Sequence, residues 1–164
     1  MFSYNIFFWY NYNKINYGLP FFINLDENAF QYSSLRFLKY ITGYESKIME
    51  PIYAPLLNLV LILKYVFINE YILNSLSLSQ IKSKIYFNPE LFIYYGRLSS
   101  LTVCSFSIIF LYLIFKKLKI DIFIYAIAII TFITSLAVFD VSIINGKNSY
   151  YLFFFLVQIY FFFK

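Results

Sequence analysis

The chain has no histidine, one cysteine (Cys104), four glycines and four prolines in 164 residues. Each shortage closes off a class of protein. With no histidine and one cysteine, neither a Cys/His zinc site nor a haem held by such ligands can be assembled. A disulfide-rich secreted fold is excluded for the same reason. So few glycines and prolines also exclude collagen and the Pro/Gly-rich disordered chains. Charge is scarce too. Asp, Glu, Lys and Arg make up 13% of the residues, whereas a soluble domain carries about 25%. That is too little polar surface to face water on all sides.

What the chain has in excess is apolar surface. It is 62% hydrophobic and 25% aromatic, with a mean hydropathy of +0.70. The missing polar surface therefore faces lipid. Asn, Ile, Lys, Phe and Tyr dominate, and all have AT-rich codons, so individual tyrosines are not read as sites. The net charge of +5 comes from basic residues scattered along the chain rather than striped, which argues against a nucleic-acid partner. Cys104 lies inside an apolar run and reads as a small packing residue.

Residues 1–15 are apolar and aromatic until Lys14 interrupts them. They are too short for a span, which needs about 20 residues, and no basic residue precedes the apolar part as in a signal peptide. They read as an aromatic surface anchor or as part of a first membrane helix. Residues 16–96 read as an outer loop with short interfacial helices. Gly18 and Pro20 mark a turn before Asp26, and residues 28–40 look helical. Pro51 and Pro55 favour a helix start near Pro55, and Lys64 interrupts the apolar run that follows. Residues 69–96 read as a second polar loop.

Residues 97–164 hold the clearest membrane helices. The first, 98–115, has no internal charge, with Arg97 at one end and Lys116, Lys117 and Lys119 at the other. Its hydroxyls (Ser99, Ser100, Thr102, Ser105, Ser107) are suited to packing against neighbouring helices. The second covers 122–139 between Asp121 and Asp140, and the third covers 150–163. The expected fold is all-α and polytopic, with about three to four transmembrane helices. Lys116, Lys117 and Lys119 form the one tight basic cluster, so their loop is expected in the cytoplasm and residues 13–96 outside it.

The main candidate for chemistry is the adjacent pair Asp26–Glu27 in GLPFFINLDENAF. One carboxylate can take a proton while its neighbour holds that group or a metal ion. An acid before an apolar helix also serves as an N-cap or a solvated charge.

Here the chain resembles the GT-C class of membrane glycosyltransferases, among them protein O-mannosyltransferases and the aminoarabinose transferases that modify lipid A. Three stretches carry the resemblance, in order: GLPFFINLDENAFQYSSL, PIYAPLLNLVLIL and GRLSSLTVCSFSIIFLYLIFKKL. The likeness covers nearly the whole chain but only the start of such an enzyme, so the chain is expected to be an N-terminal fragment, inactive by itself.

The resemblance implies transfer of a sugar from a polyprenyl-phosphate donor to a lipid, glycan or protein acceptor outside the cytoplasm, in a bacterial inner membrane. Asp26 would be the general base that deprotonates the acceptor hydroxyl. Glu27 would support acceptor or metal placement, and any divalent ion would sit at Asp26. Lys47, Arg97 and Lys147 are the candidates for the donor phosphate. Arg97 otherwise flanks a helix at headgroup level, and Lys147 otherwise anchors the interface. Two places depart from the family pattern. Glu50, rather than a cation, precedes Pro51. Asn148 stands where a second acid is expected, with Asp140 some residues earlier. The rival expectation is a small non-enzymatic membrane protein serving as a scaffold, assembly or transporter subunit.

Overall fold

The computed structural model describes Phe8, Tyr12 and residues 55–88, 90–135 and 147–163. Among these residues every regular element is helical, so the fold is all-α. In chain order the elements are α1 (Pro55–Val66), a π-helical segment (Phe67–Leu73), α2 (Leu78–Phe87), α3 (Glu90–Lys117), α4 (Ile122–Thr134) and α5 (Lys147–Phe162).

Local chemistry sets most of the boundaries. Proline at the first position of α1 gives up no helical hydrogen bond and arrives with a helical φ. The helix then widens into the π-helical segment, which closes with Asn74 N–H on the Asn69 carbonyl at 3.1 Å. Ser75 adopts φ 53°, turning the chain. The α2 helix leaves at 118° to the rod formed by Leu57–Leu73. A capping box starts it: Gln80 N–H donates to Ser77 Oγ, and Ser77 N–H donates to Gln80 Oε1 at 2.8 Å. These bonds satisfy backbone donors that a helix start leaves open.

The long helix is α3, with 28 residues. Glu90 in its first turn and Lys116 and Lys117 in its last match the helix dipole. It ends in a Schellman motif: Ile120 N–H reaches the Phe115 carbonyl and Lys119 N–H the Lys116 carbonyl, at 3.1 and 3.2 Å. Lys119 takes the left-handed conformation, φ 54°, that glycine usually fills.

Among the described residues, α3 is the one helix long and apolar enough by itself to cross a membrane. The stretches Ile122–Phe132 and Asn148–Phe162 are apolar but shorter, and the rod and α2 meet the same test only as a bent pair. Two expectations change. The helix expected over 98–115 begins at Glu90, so Arg97 lies inside it rather than bounding it. Burial explains the extension: Ile93 and Tyr95 pack inward, and Tyr95 joins Ile62, Val66 and Ile81 in one cluster. The stretch read as a polar loop over 69–96 is largely helical, because Ile81 and Ile85 give α2 an apolar face for that cluster.

The core is built on α3. The α5 helix packs along it most extensively, and α1 lies against it as well. Leu98, Leu101, Cys104, Ile108 and Ile129 form the central cluster, with Tyr65, Tyr125 and Leu152 at its margin. Small side chains at Gly96, Ser99, Ser100, Cys104 and Ser107 let neighbouring helices approach closely. Phe110 meets Phe153 and Tyr160 edge-on at 5.5 and 5.9 Å, fastening α3 to α5 farther along. The α4 helix is largely exposed, with Ile122, Phe123, Ile124, Ile127 and Ile130 all uncovered.

Candidate functional site

Asp26, Glu27 and Lys47 lie outside the described residues. The geometry therefore concerns Arg97, Lys147 and what surrounds them. Arg97 has no exposed surface and is engaged within the fold. Its neighbours along α3, Leu98 to Ser105, are all buried too. Burying a guanidinium in such an apolar chain is costly unless polar groups partner it.

Two residues on from Arg97, a polar seam joins α1, α3 and α5. Ser99 Oγ and the Tyr150 hydroxyl each donate to Asn58 Oδ1 at 2.8 Å. The Ser99 and Tyr150 hydroxyls also touch each other. Asn58, Ser99, Ser100, Ser149 and Tyr150 are all essentially unexposed. Helix periodicity builds the seam: Asn58 faces inward one turn into α1, and Ser149 and Tyr150 lie in the first turn of α5. Lys147 is the first residue of α5, so its backbone lies one turn from Tyr150; its side chain is outside the described set. Of the three residues expected at the donor phosphate, Arg97 and Lys147 thus stand on two helices that the seam ties together.

Three further hydroxyls of α3 serve its own backbone. Thr102 donates to the Leu98 carbonyl at 2.8 Å and also meets the Tyr65 hydroxyl. Ser105 and Ser107 donate to the Leu101 and Val103 carbonyls at 2.7 and 3.3 Å. Such back-bonding hides hydroxyls in an apolar setting. Near the start of α3, Tyr94 meets Tyr12 hydroxyl to hydroxyl at 3.0 Å.

A second polar cluster lies at the elbow between the π-helical segment and α2. Glu70, 2% exposed, receives Lys84 Nζ at 2.6 Å and Asn74 Nδ2 at 3.1 Å on Oε2, and the Tyr95 hydroxyl at 2.6 Å on Oε1. Burial pushes the Glu70 carboxyl up. Donation from Lys84, Tyr95 and Asn74 outweighs it and holds the carboxyl below its ordinary range. Both carboxylate oxygens are satisfied, so the cluster is a structural clasp rather than a poised base.

Sequence reasoning missed Asn58, Glu70, Lys84, Tyr95, Ser149 and Tyr150, and took Ser99 only for its packing. Asn58 carried a signal: it is the lone polar residue between Pro55 and Leu63. Glu70 carried a weaker one as a single acid within FINEYIL. Tyr150 carried none among 18 tyrosines. Among the described residues no three Cys, Asp or Glu side chains converge to hold a metal ion. No known protein family, curated protein or solved structure matches the chain.

Proposed function

We propose that the chain forms the amino-terminal portion of a multi-pass glycosyltransferase of the bacterial cell membrane. The enzyme transfers a sugar from a polyprenyl-phosphate donor to an acceptor hydroxyl on the outer face. Asp26 acts as general base, taking the acceptor proton as its oxygen attacks the anomeric carbon and the lipid phosphate departs. Glu27 orients the acceptor. Lys147 and Lys47 meet the departing phosphate, and the guanidinium of Arg97, buried on α3, supports that site with its charge from within the fold.

One observation carries this reading: Arg97, within the helix long and apolar enough to cross a membrane, has no exposed surface. Ionisable groups inside membrane helices are costly, and they mark sites that handle polar substrates. The order of the three sequence stretches, acidic loop, Pro-led helix, then Arg-led helix, supports the same reading.

The test uses membranes carrying the complete reading frame and a panel of labelled polyprenyl-phosphate hexoses and pentoses. Asp26→Asn should lower transfer by about 10²- to 10⁴-fold, the ordinary contribution of a positioned base, with the protein still present in the membrane. Transfer by Asp26→Asn at the parent rate overturns the assignment. Absence of transfer from every donor would favour the non-enzymatic membrane subunit.

A further inference from the structure

We infer that the outward face of α2 is a contact surface for anionic lipid headgroups, on the leaflet opposite the Lys116–Lys117–Lys119 cluster. This rests on reading the chain as embedded in a membrane. The α2 helix has two unlike faces. Ile81 and Ile85 turn inward onto Ile62, Val66 and Tyr95. Leu78, Lys82 and Tyr86, spaced four apart, form an exposed stripe; Leu78 and Tyr86 are 75% and 80% exposed. Phe87 is equally open and meets the Tyr86 ring edge-on at 5.3 Å. An apolar residue, a cation and a tyrosine in a row match the layer where acyl chains meet phosphates. Aromatic rings settle there, and lysine reaches outward to the phosphates.

Depth and direction are both constrained. The Glu70 clasp joins α2 to α3 through Lys84 and Tyr95. Tyr95 and Lys116 are roughly 30 Å apart at the α-helical rise, about the thickness of a bilayer's hydrocarbon core. With the lysine cluster at one boundary, Tyr95 and the clasped α2 stand at the other. The 118° bend turns α2 away from the rod that leads into it. Charge selects the lipid. The helix LSQIKSKIYF carries two lysines and no acid. Glu70 matches the charge of Lys84, leaving Lys82 to face outward and attract anionic phosphates.

The test labels a cysteine at Tyr86→Cys with a fluorophore in a Cys104→Ser background; where that background expresses poorly the native thiol can remain, since it is fully buried. The protein is reconstituted in phosphatidylglycerol–phosphatidylcholine vesicles. Quenching by headgroup-level nitroxide lipid is compared with quenching by aqueous acrylamide. A matching probe at Ile130→Cys reports on the exposed face of α4. The expected result is strong nitroxide and weak acrylamide quenching at position 86. Lys82→Glu should reduce the nitroxide quench in phosphatidylglycerol vesicles but not in phosphatidylcholine alone. Equal quenching with and without Lys82→Glu overturns the anionic-headgroup assignment. Lipid quenching at 130 with acrylamide quenching at 86, or none at 86, overturns this inference while the membrane reading stands. Loss of lipid quenching at both positions overturns the two together.

Discussion

Glu70 sits almost fully buried in a chain with few polar groups, and its three donors make that possible. The consequence for stability has a definite sign. A carboxyl whose folded pKa lies below its unfolded value of about 4.3 favours the folded state above that value. The contribution is lost as pH falls through the folded pKa. Unfolding in detergent should therefore become easier on acidification below about pH 4, and Glu70→Gln should flatten that dependence. At neutral pH the same substitution should cost about 2 kcal/mol, since it leaves Lys84 without its counter-charge. Lys84 is partly exposed, so water softens the loss. Asn58 makes a second residue-level prediction. Its Oδ1 serves both Ser99 and Tyr150, so Asn58→Ala and Tyr150→Phe should not add. A double-mutant cycle read by unfolding should give a coupling of about 0.5–2 kcal/mol; strict additivity would mean the network contributes nothing.

Among the elements, α3 draws its length from packing rather than from hydropathy. Its upstream turns are held by burial: Ile93 is covered, and Tyr95 packs against α1 and α2. Its downstream end is held by local bonding. Lys119 occupies the left-handed cap position at a steric cost of about 1–2 kcal/mol for a residue with a Cβ. Lys119→Gly should therefore raise resistance to unfolding by roughly 0.5–1 kcal/mol, the gain being trimmed by glycine's extra freedom in the unfolded chain. A lower stability in that variant would show that the lysine charge outweighs its backbone strain. Lys117 adds a second fastening there. Its Nζ donates to the Tyr160 carbonyl at 3.3 Å and lies 4.5 Å from that ring's centre, tying the ends of α3 and α5.

For the whole molecule, the polar groups are sorted along α3. The Asn58–Ser99–Tyr150 seam and the Glu70 clasp lie towards its start, and Lys116, Lys117 and Lys119 lie at its end. The basic end is proposed to face the cytoplasm. A cysteine at Leu118, which is 45% exposed, should react with a membrane-impermeant maleimide only after the cytoplasmic face is opened. Labelling from outside would invert the topology and, with it, the location proposed for Asp26. The α4 helix makes few contacts with the rest of the described chain, and in the proposed arrangement its open apolar flank would face lipid.

Composition by itself pointed to a lipid setting, because so little charge cannot cover a water-facing surface, and the lack of barrel-type alternation made the expected fold all-α. Local signals were legible where they act over a single turn. Pro55 opened α1, and α3's basic end and Asp121 at the start of α4 mark boundaries: Asp121 Oδ1 accepts Phe123 N–H at 2.7 Å. The order of the acidic, Pro-led and Arg-led stretches was likewise readable in one dimension. Tertiary structure alone decided the depth of Arg97. Flanking charge and buried charge look alike in sequence, and only the packing of the folded chain around α3 removes Arg97 from water. Tyr150 needed a partner 92 positions away, and Glu70 needed Tyr95 at 25. No periodicity reports such pairings, because they depend on which helices meet rather than on what each helix is.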